Sequence, residues 1–176
     1  MYRIAKSIDV DFSHHVRGHS GPCINVHGHT WKLEVGLQAQ TLGEEGFVVD
    51  FKDLKRAVLK PCHDLLDHAL AVGEATFGEV ESELAALGKQ LLNSRLALHG
   101  TTETLKRKEV ELAGARAFYP GGMKVAVFPF NPTSERLAHW LWNAADGALS
   151  DDRVSIAYTR IYETLHPVES IAEYWP

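Results

Sequence analysis

The sequence predicts an α+β fold built on an antiparallel sheet. Two long stretches alternate apolar and polar residues with a period of two, the mark of half-buried strands. Between and after them the apolar spacing changes to steps of three and four, the mark of amphipathic helices. No strand–helix–strand unit recurs, so nothing points to a doubly wound parallel sheet.

The first strand runs from Tyr2 to Phe12, with Tyr2, Ile4, Ile8, Val10 and Phe12 on one face and only Lys6 breaking the series. A Gly- and His-rich stretch from Ser13 to Gly28 follows, broken at Gly18, Gly21 and Pro22. Trp31, Leu33, Val35 and Leu37 then alternate with Thr30, Lys32, Glu34 and Gly36, the clearest strand in the chain. The turn Gly43-Glu44-Glu45-Gly46 leads into Phe47-Val48-Val49-Asp50-Phe51, which reads as the second arm of a hairpin. Leu54, Val58 and Leu59 take helical spacing, predicting a helix from about Lys52 to about Leu66.

From Gly73 to about Tyr119 the character changes. Phe77, Val80, Leu84, Leu87 and Leu91, with Leu98 further on, form an apolar stripe among Glu, Lys and Arg. This reads as a helical insertion, a single helix or a hairpin turned at His99-Gly100-Thr101-Thr102. Its stripe is expected either to pack on the rest of the domain or to face a partner. Val125-Ala126-Val127-Phe128 resumes strand character. Asn131 as N-cap and Pro132 at the first helical position predict a helix whose buried stripe is Leu137, Trp140, Leu141 and Ala144. A last strand alternates Val154, Ile156, Tyr158, Arg160 and Tyr162 with Ser155, Ala157, Thr159, Ile161 and Glu163. A length of 176 residues suits a single domain, 1–176, carrying that insertion at about 73–119.

The formal charge is −5 and no Lys/Arg block stands out, so a nucleic-acid or anionic-membrane partner is not expected. The start of the chain lacks the apolar core of a signal peptide, and no apolar run approaches the roughly 20 residues of a membrane span. Only two cysteines occur, Cys23 and Cys62, too few for a disulfide framework, which favours a cytoplasmic setting.

The informative stretch is Cys23-Ile24-Asn25-Val26-His27-Gly28-His29. Residues i and i+2 of an extended chain point to one face, so His27 and His29 can converge on one ion, with Gly28 relieving the crowding. A third imidazole can come from His14 or His15 at the end of the preceding strand, if the two strands lie side by side. Three neutral imidazoles and one open position make a catalytic zinc site; with Cys23 as a fourth ligand the same spacing makes a closed structural one. Asp67-His68 could orient an imidazole for proton transfer, although one adjacent pair is a weak signal. Glu163 shares a strand face with Ile161 and is either a buried ligand anchor or an edge charge.

These segments, in order, resemble the 6-pyruvoyl-tetrahydropterin synthase family, and more closely its 6-carboxytetrahydropterin synthase branch. The matching pieces are Phe12-Ser13-His14-His15-Val16, Cys23-x-x-x-His27-Gly28-His29-Thr30-Trp31, Gly46-Phe47-Val48-Val49-Asp50-Phe51-Lys52-Asp53-Leu54-Lys55, Leu66-Asp67-His68-Ala69-Leu70, Asn131-Pro132-Thr133-Ser134-Glu135 and Tyr162-Glu163-Thr164. The resemblance implies a tunnelling fold: strands of several subunits close into a barrel with helices outside, and active sites form between copies, usually in a homohexamer. It implies zinc on His14, His27 and His29, matching back from Arg17-Gly18 favouring His14 over His15. It also implies Cys23 as proton-transfer residue, Asp67 and His68 as its relay, and Glu163 gripping the amino-pyrimidine edge of a pterin. The substrate would be 7,8-dihydroneopterin triphosphate. The 6-carboxy branch cleaves its side chain to 6-carboxytetrahydropterin, acetaldehyde and triphosphate, on the route to queuosine; the three-residue gap between Cys23 and His27 resembles that branch. The alternatives are the sister 6-pyruvoyl reaction, which eliminates triphosphate, and a pterin- or zinc-binding paralogue without catalysis. Two features depart from the family pattern: Phe12 lies only two residues before His14, and the insertion is long.

Overall fold

A computed structural model describes residues 1–99, 108–164 and 169–176. Its strands form one sheet in the order β4-β5-β6-β3-β1-β2-β7-β8. β1 (Tyr2–His14) and β2 (His27–Ala39) pair antiparallel from Tyr2↔Ala39 to His14↔His27. Val10, Phe12 and His14 on β1, and Trp31, Leu33, Val35 and Leu37 on β2, are buried on one face, as their alternation predicts.

The segment after β2 departs from expectation. Phe47–Phe51 is not the second arm of a hairpin, because both flanks of β2 are taken, by β1 and by β7. Instead the Arg153 guanidinium donates to the carbonyls of Thr41, Phe47 and Val48, and Asp50 caps the next helix by accepting from Lys52 N at 2.7 Å. That helix runs through α1 (Phe51–Leu54), a π turn (Lys55–Leu59) and α2 (Lys60–Leu66). Pro61 has no N–H to give and its ring would press on the carbonyl four residues back. The wider turn, with Lys60 N bonded to Lys55 O, accommodates it.

β3 (Leu70–Gly73), not foreseen from the sequence, lies parallel to both β1 and β6, which makes the sheet mixed. The insertion opens with α3 (Glu74–His99). Its stripe divides: Phe77 is buried and Leu84 partly so, whereas Leu87 and Leu91 stay exposed. α3 lies so close to the Pro120–Gly122 turn that a Cβ on Gly88 would sit 2.7 Å from Pro120 O. A turn at Gly100–Thr102 lies outside the described residues. The end of the insertion is not helical: β4 (Glu111–Leu112) and β5 (Ala115–Phe118) form a hairpin. Its turn residues Ala113 and Gly114 both have positive φ, 46° and 82°, matching the twist of a two-residue hairpin.

β6 (Val125–Phe128) is followed by α4 (Ser134–Leu149), which buries Leu137, Trp140, Leu141 and Ala144. The cap of α4 is Thr133, accepting from Arg136 N, and not Asn131, whose side chain is spent on Arg17 O at 3.0 Å. β7 (Val154–Thr164) pairs with β2, with an irregularity between Gly36 and Leu37 that leaves Ala157 as an extra residue. The buried face therefore passes from Val154 and Ile156 to Thr159 and Ile161. β8 (Ser170–Tyr174), also unforeseen, closes the sheet beside β7. The main core lies between the buried face of the sheet and the helices α1, α2 and α4. Among the described residues no helix is long and apolar enough to cross a membrane.

Candidate metal centre

The register of β1 on β2 sets the site. His14 stands directly opposite His27, and Phe12 opposite His29, so three imidazoles gather at one end of the strand pair. Trp31 supports them from below: fully buried, it stacks on Phe12 with ring centroids 4.5 Å apart and donates its Nε1–H to Phe12 O at 3.1 Å. Its ring meets those of His14 and His29 edge-on, at 4.9 and 5.3 Å. The indole therefore fixes ring orientation while keeping its own donor satisfied.

The backbone selects the tautomers. His14 Nδ1 lies 2.9 Å from Pro132 O, and His27 Nδ1 lies 2.9 Å from Asn25 O. A carbonyl only accepts, so each Nδ1 carries the proton and each neutral ring presents a bare lone pair at Nε2. Those two Nε2 atoms are 3.0 Å apart. Two lone pairs facing each other at that distance repel unless a cation or proton stands between them. His29 Nε2 is also buried and has no hydrogen-bond partner among the described residues. His14 is only 1% exposed, and burial holds its pKa below the ordinary histidine range, which keeps it in the neutral form that ligates.

Glu163, near the end of β7, completes the group. Its Oε1 lies 3.5 Å from His14 Nε2 and 3.7 Å from His29 Nε2, and its Oε2 accepts from Ser134 Oγ at 2.5 Å. Ligand atoms of His14, His27, His29 and Glu163 all lie within 4.8 Å of one another, so these four residues could hold a metal ion. Zinc bonds of about 2.0–2.1 Å in tetrahedral geometry place nitrogen ligands roughly 3.3 Å apart, close to the spacing between His14 and His27.

The other predicted residues lie outside this group. Cys23 sits in the single turn Pro22–Ile24, partly exposed, its carbonyl accepting from Val16 N at 3.1 Å. His15, the alternative first ligand, is not in the group either. Asp67 and His68 follow α2 as a bonded pair, with His68 Nδ1 2.9 Å from Asp67 Oδ1. His68 has a φ of +58°, its N–H bonds Asp11 O at 2.8 Å, and its side chain is 81% exposed. His68 and His29 both line one open cleft beside β1 and β3. Cys62 is fully buried, and burial pushes its thiol pKa up, which leaves it unreactive. Three contributors escaped sequence reasoning: Trp31 as ring support, the Pro132 carbonyl and the Ser134 hydroxyl. The last two sit in the Asn131-Pro132-Thr133-Ser134 start of α4, and only the tertiary fold shows that this turn abuts β1.

Comparison with known proteins decides the family. The profile described as 6-pyruvoyl tetrahydropterin synthase matches residues 3–175. The chain belongs to that family. Among relatives, the 6-carboxy-5,6,7,8-tetrahydropterin synthase of Haemophilus influenzae is 30% identical over 167 residues, covering 93% of this chain and 94% of the relative. The protein of the same name from Rickettsia typhi is 25% identical, covering 93% and 95%. Solved structures agree on the fold: an uncharacterised Wolinella succinogenes protein superposes with a TM-score of 0.67 at 22% identity, covering 99% and 97%. The 6-pyruvoyl tetrahydropterin synthase of Caenorhabditis elegans does so with 0.56 at 16%, covering 99% and 95%. The mixed sheet, with α1, α2 and α4 packed on one face and Phe77 of α3 packed on the other against Val72, Val125 and Val127, is thus the α+β tunnelling fold of the 6-pyruvoyl tetrahydropterin synthase family.

Proposed function

We propose that this chain is a zinc-dependent 6-carboxytetrahydropterin synthase, converting 7,8-dihydroneopterin triphosphate to 6-carboxytetrahydropterin, acetaldehyde and triphosphate. The observation that carries this reading is the convergence of three imidazoles beside a carboxylate, with the His14 and His27 tautomers fixed by backbone carbonyls. Zinc held by His14, His27 and His29 would supply Lewis acidity toward the substrate's side-chain oxygens.

The chain's own groups do the rest. Glu163 accepts from adjacent N–H donors of the amino-pyrimidine edge, with Ser134 holding one carboxylate oxygen in place. Trp31 and Phe12 wall the floor of the site and exclude water, which strengthens the electrostatic contacts above them. Cys23 removes or returns a proton at the reacting side chain, and His68, oriented by Asp67, carries that proton onward. Since neither Cys23 nor His68 belongs to the metal group in a single chain, the reading includes a homo-oligomer, of the hexameric kind, in which neighbouring copies complete one site.

Zinc-loaded protein incubated with 7,8-dihydroneopterin triphosphate is expected to release acetaldehyde and 6-carboxytetrahydropterin. A 6-pyruvoyl product would assign the sister reaction instead. Absence of turnover at full zinc occupancy would leave a binding paralogue.

A further inference from the structure

Between α2, α3 and the Pro120–Lys124 segment lies a cavity of about 590 Å³, within the size range of small-molecule sites. None of the four residues of the metal group lines it. Its α3 wall is apolar, formed by Gly88, Leu91 and Leu92, with Met123 also lining it.

The opposite side is charged: Lys60, Lys108 and Lys124 line it together with the carboxylates Asp64 and Asp67. Lys124 Nζ donates to the main-chain carbonyls of Asp64 at 2.8 Å and Asp67 at 2.7 Å, at the end of α2. Among the described residues no carboxylate stands within ion-pair distance of this partly buried ammonium. Burial lowers the Lys124 pKa, against the pull of the Asp67 and Asp64 charges. Asp64 bridges Lys60 and Lys108, pinning both ammonium groups at the cavity with N–H donors left over. A partly desolvated charge is ordinarily matched by a counter-charge, and helix-end carbonyls offer only a partial one. Three ammonium groups converging on a half-apolar concavity suit an anion with several acceptor oxygens.

We propose that this cavity binds a phosphate-bearing ligand, with Lys124 as the central contact, Lys60 and Lys108 beside it, and the apolar α3 wall covering the remainder. A purely structural role, in which the lysines fasten the insertion to α2, accounts for Lys60 and Lys108. It accounts for neither the cavity nor, among the described residues, the lack of a carboxylate within ion-pair distance of Lys124. Two sources offer the same chemistry. His68 lines the cavity, so the triphosphate tail of the substrate proposed above could pass His68 into it; that source rests on the lyase reading. A separate phosphate compound would need no such reading.

The test is calorimetric titration of the zinc-loaded full chain with inorganic triphosphate at low salt. Saturable binding is expected, weakened on the order of tenfold or more in Lys108→Gln and in Leu91→Glu, which sets a carboxylate in the cavity. Leu91 is 56% exposed, so that variant should fold as the parent does. Lys124→Gln should bind least, its melting curve serving as the check on folding. A matching rise in KM for 7,8-dihydroneopterin triphosphate in Leu91→Glu would assign the cavity to the substrate's tail. An unchanged KM with triphosphate binding lost would assign it to a separate compound. No saturable heat with the parent chain, or parental affinity in Leu91→Glu, would overturn the proposal. Because the titration needs no turnover, its result is independent of the lyase assay.

Discussion

Replacing Glu163 by glutamine separates two roles that the same carboxylate could play. Its Oε1 faces the imidazoles of His14 and His29, while its Oε2 takes the Ser134 hydroxyl at 2.5 Å. If the group grips the pterin, glutamine offers one acceptor in place of two and points an N–H at an N–H. One charge-assisted bond of about 1.5–3 kcal/mol is then replaced by a repulsive contact and the other weakens to a neutral one, a loss of about 3–5 kcal/mol together. That corresponds to a fall in kcat/KM on the order of 10²–10⁴-fold. Folding should lose only about 1 kcal/mol, since the Ser134 bond survives in neutral form. Zinc should stay near one ion per chain, because His14, His27 and His29 are untouched. The assay pairs zinc content after gel filtration with kcat/KM on 7,8-dihydroneopterin triphosphate. Loss of zinc together with activity would make Glu163 a ligand and refute the substrate role; undiminished kcat/KM would refute both.

Cys23→Ala should abolish turnover and leave zinc content at the parental level, and loss of zinc in that variant would instead support a closed site with Cys23 as a ligand. The metal-free protein should lose stability as pH falls below about 6.5, because the unfolded chain then binds a proton that buried His14 resists. The contribution is present in full above that value, and melting temperatures of the chelator-treated parent and His14→Gln should converge in slope only if His14 is not responsible. Gly121→Ala should cost about 2–4 kcal/mol, since φ is +56° and a Cβ would press into the Ala85 carbonyl of α3. Thermal melting should show this as a drop of about 5–15 °C, and parental stability would mean that α3 does not pack on this turn.

What the sequence made legible follows from the range over which each signal acts. β1, β2 and the helix after Asp50 declare themselves because their apolar period matches their own burial. His14, His27 and His29 could be paired on paper because strand register is a local rule and both strands are long. β3 and β8 were hidden: each is at most five residues, and β3 owes its strand geometry to neighbours distant in sequence. Phe47–Phe51 has strand composition but no vacant edge to join, a topological fact that no local pattern carries. The regular alternation read through β7 was interrupted at Ala157, where an extra residue changes the parity of the buried face without altering any propensity. The β4–β5 hairpin did have a local signal, the Ala113-Gly114 turn, outweighed by the helical stripe before it.

The three nitrogen donors come from one antiparallel pair within the first 29 residues, whereas the carboxylate arrives from position 163. Bringing the former together needs closure of one short loop, with the Pro132 carbonyl adding the choice of His14 tautomer; presenting the latter needs β7 laid against the far side of β2. A partly denatured or truncated chain that keeps the β1–β2 pair would therefore keep three imidazoles together, and any ion they hold, while having lost the Glu163 carboxylate. For this protein, metal stoichiometry would be a poor gauge of native structure, and ligand recognition the stricter one.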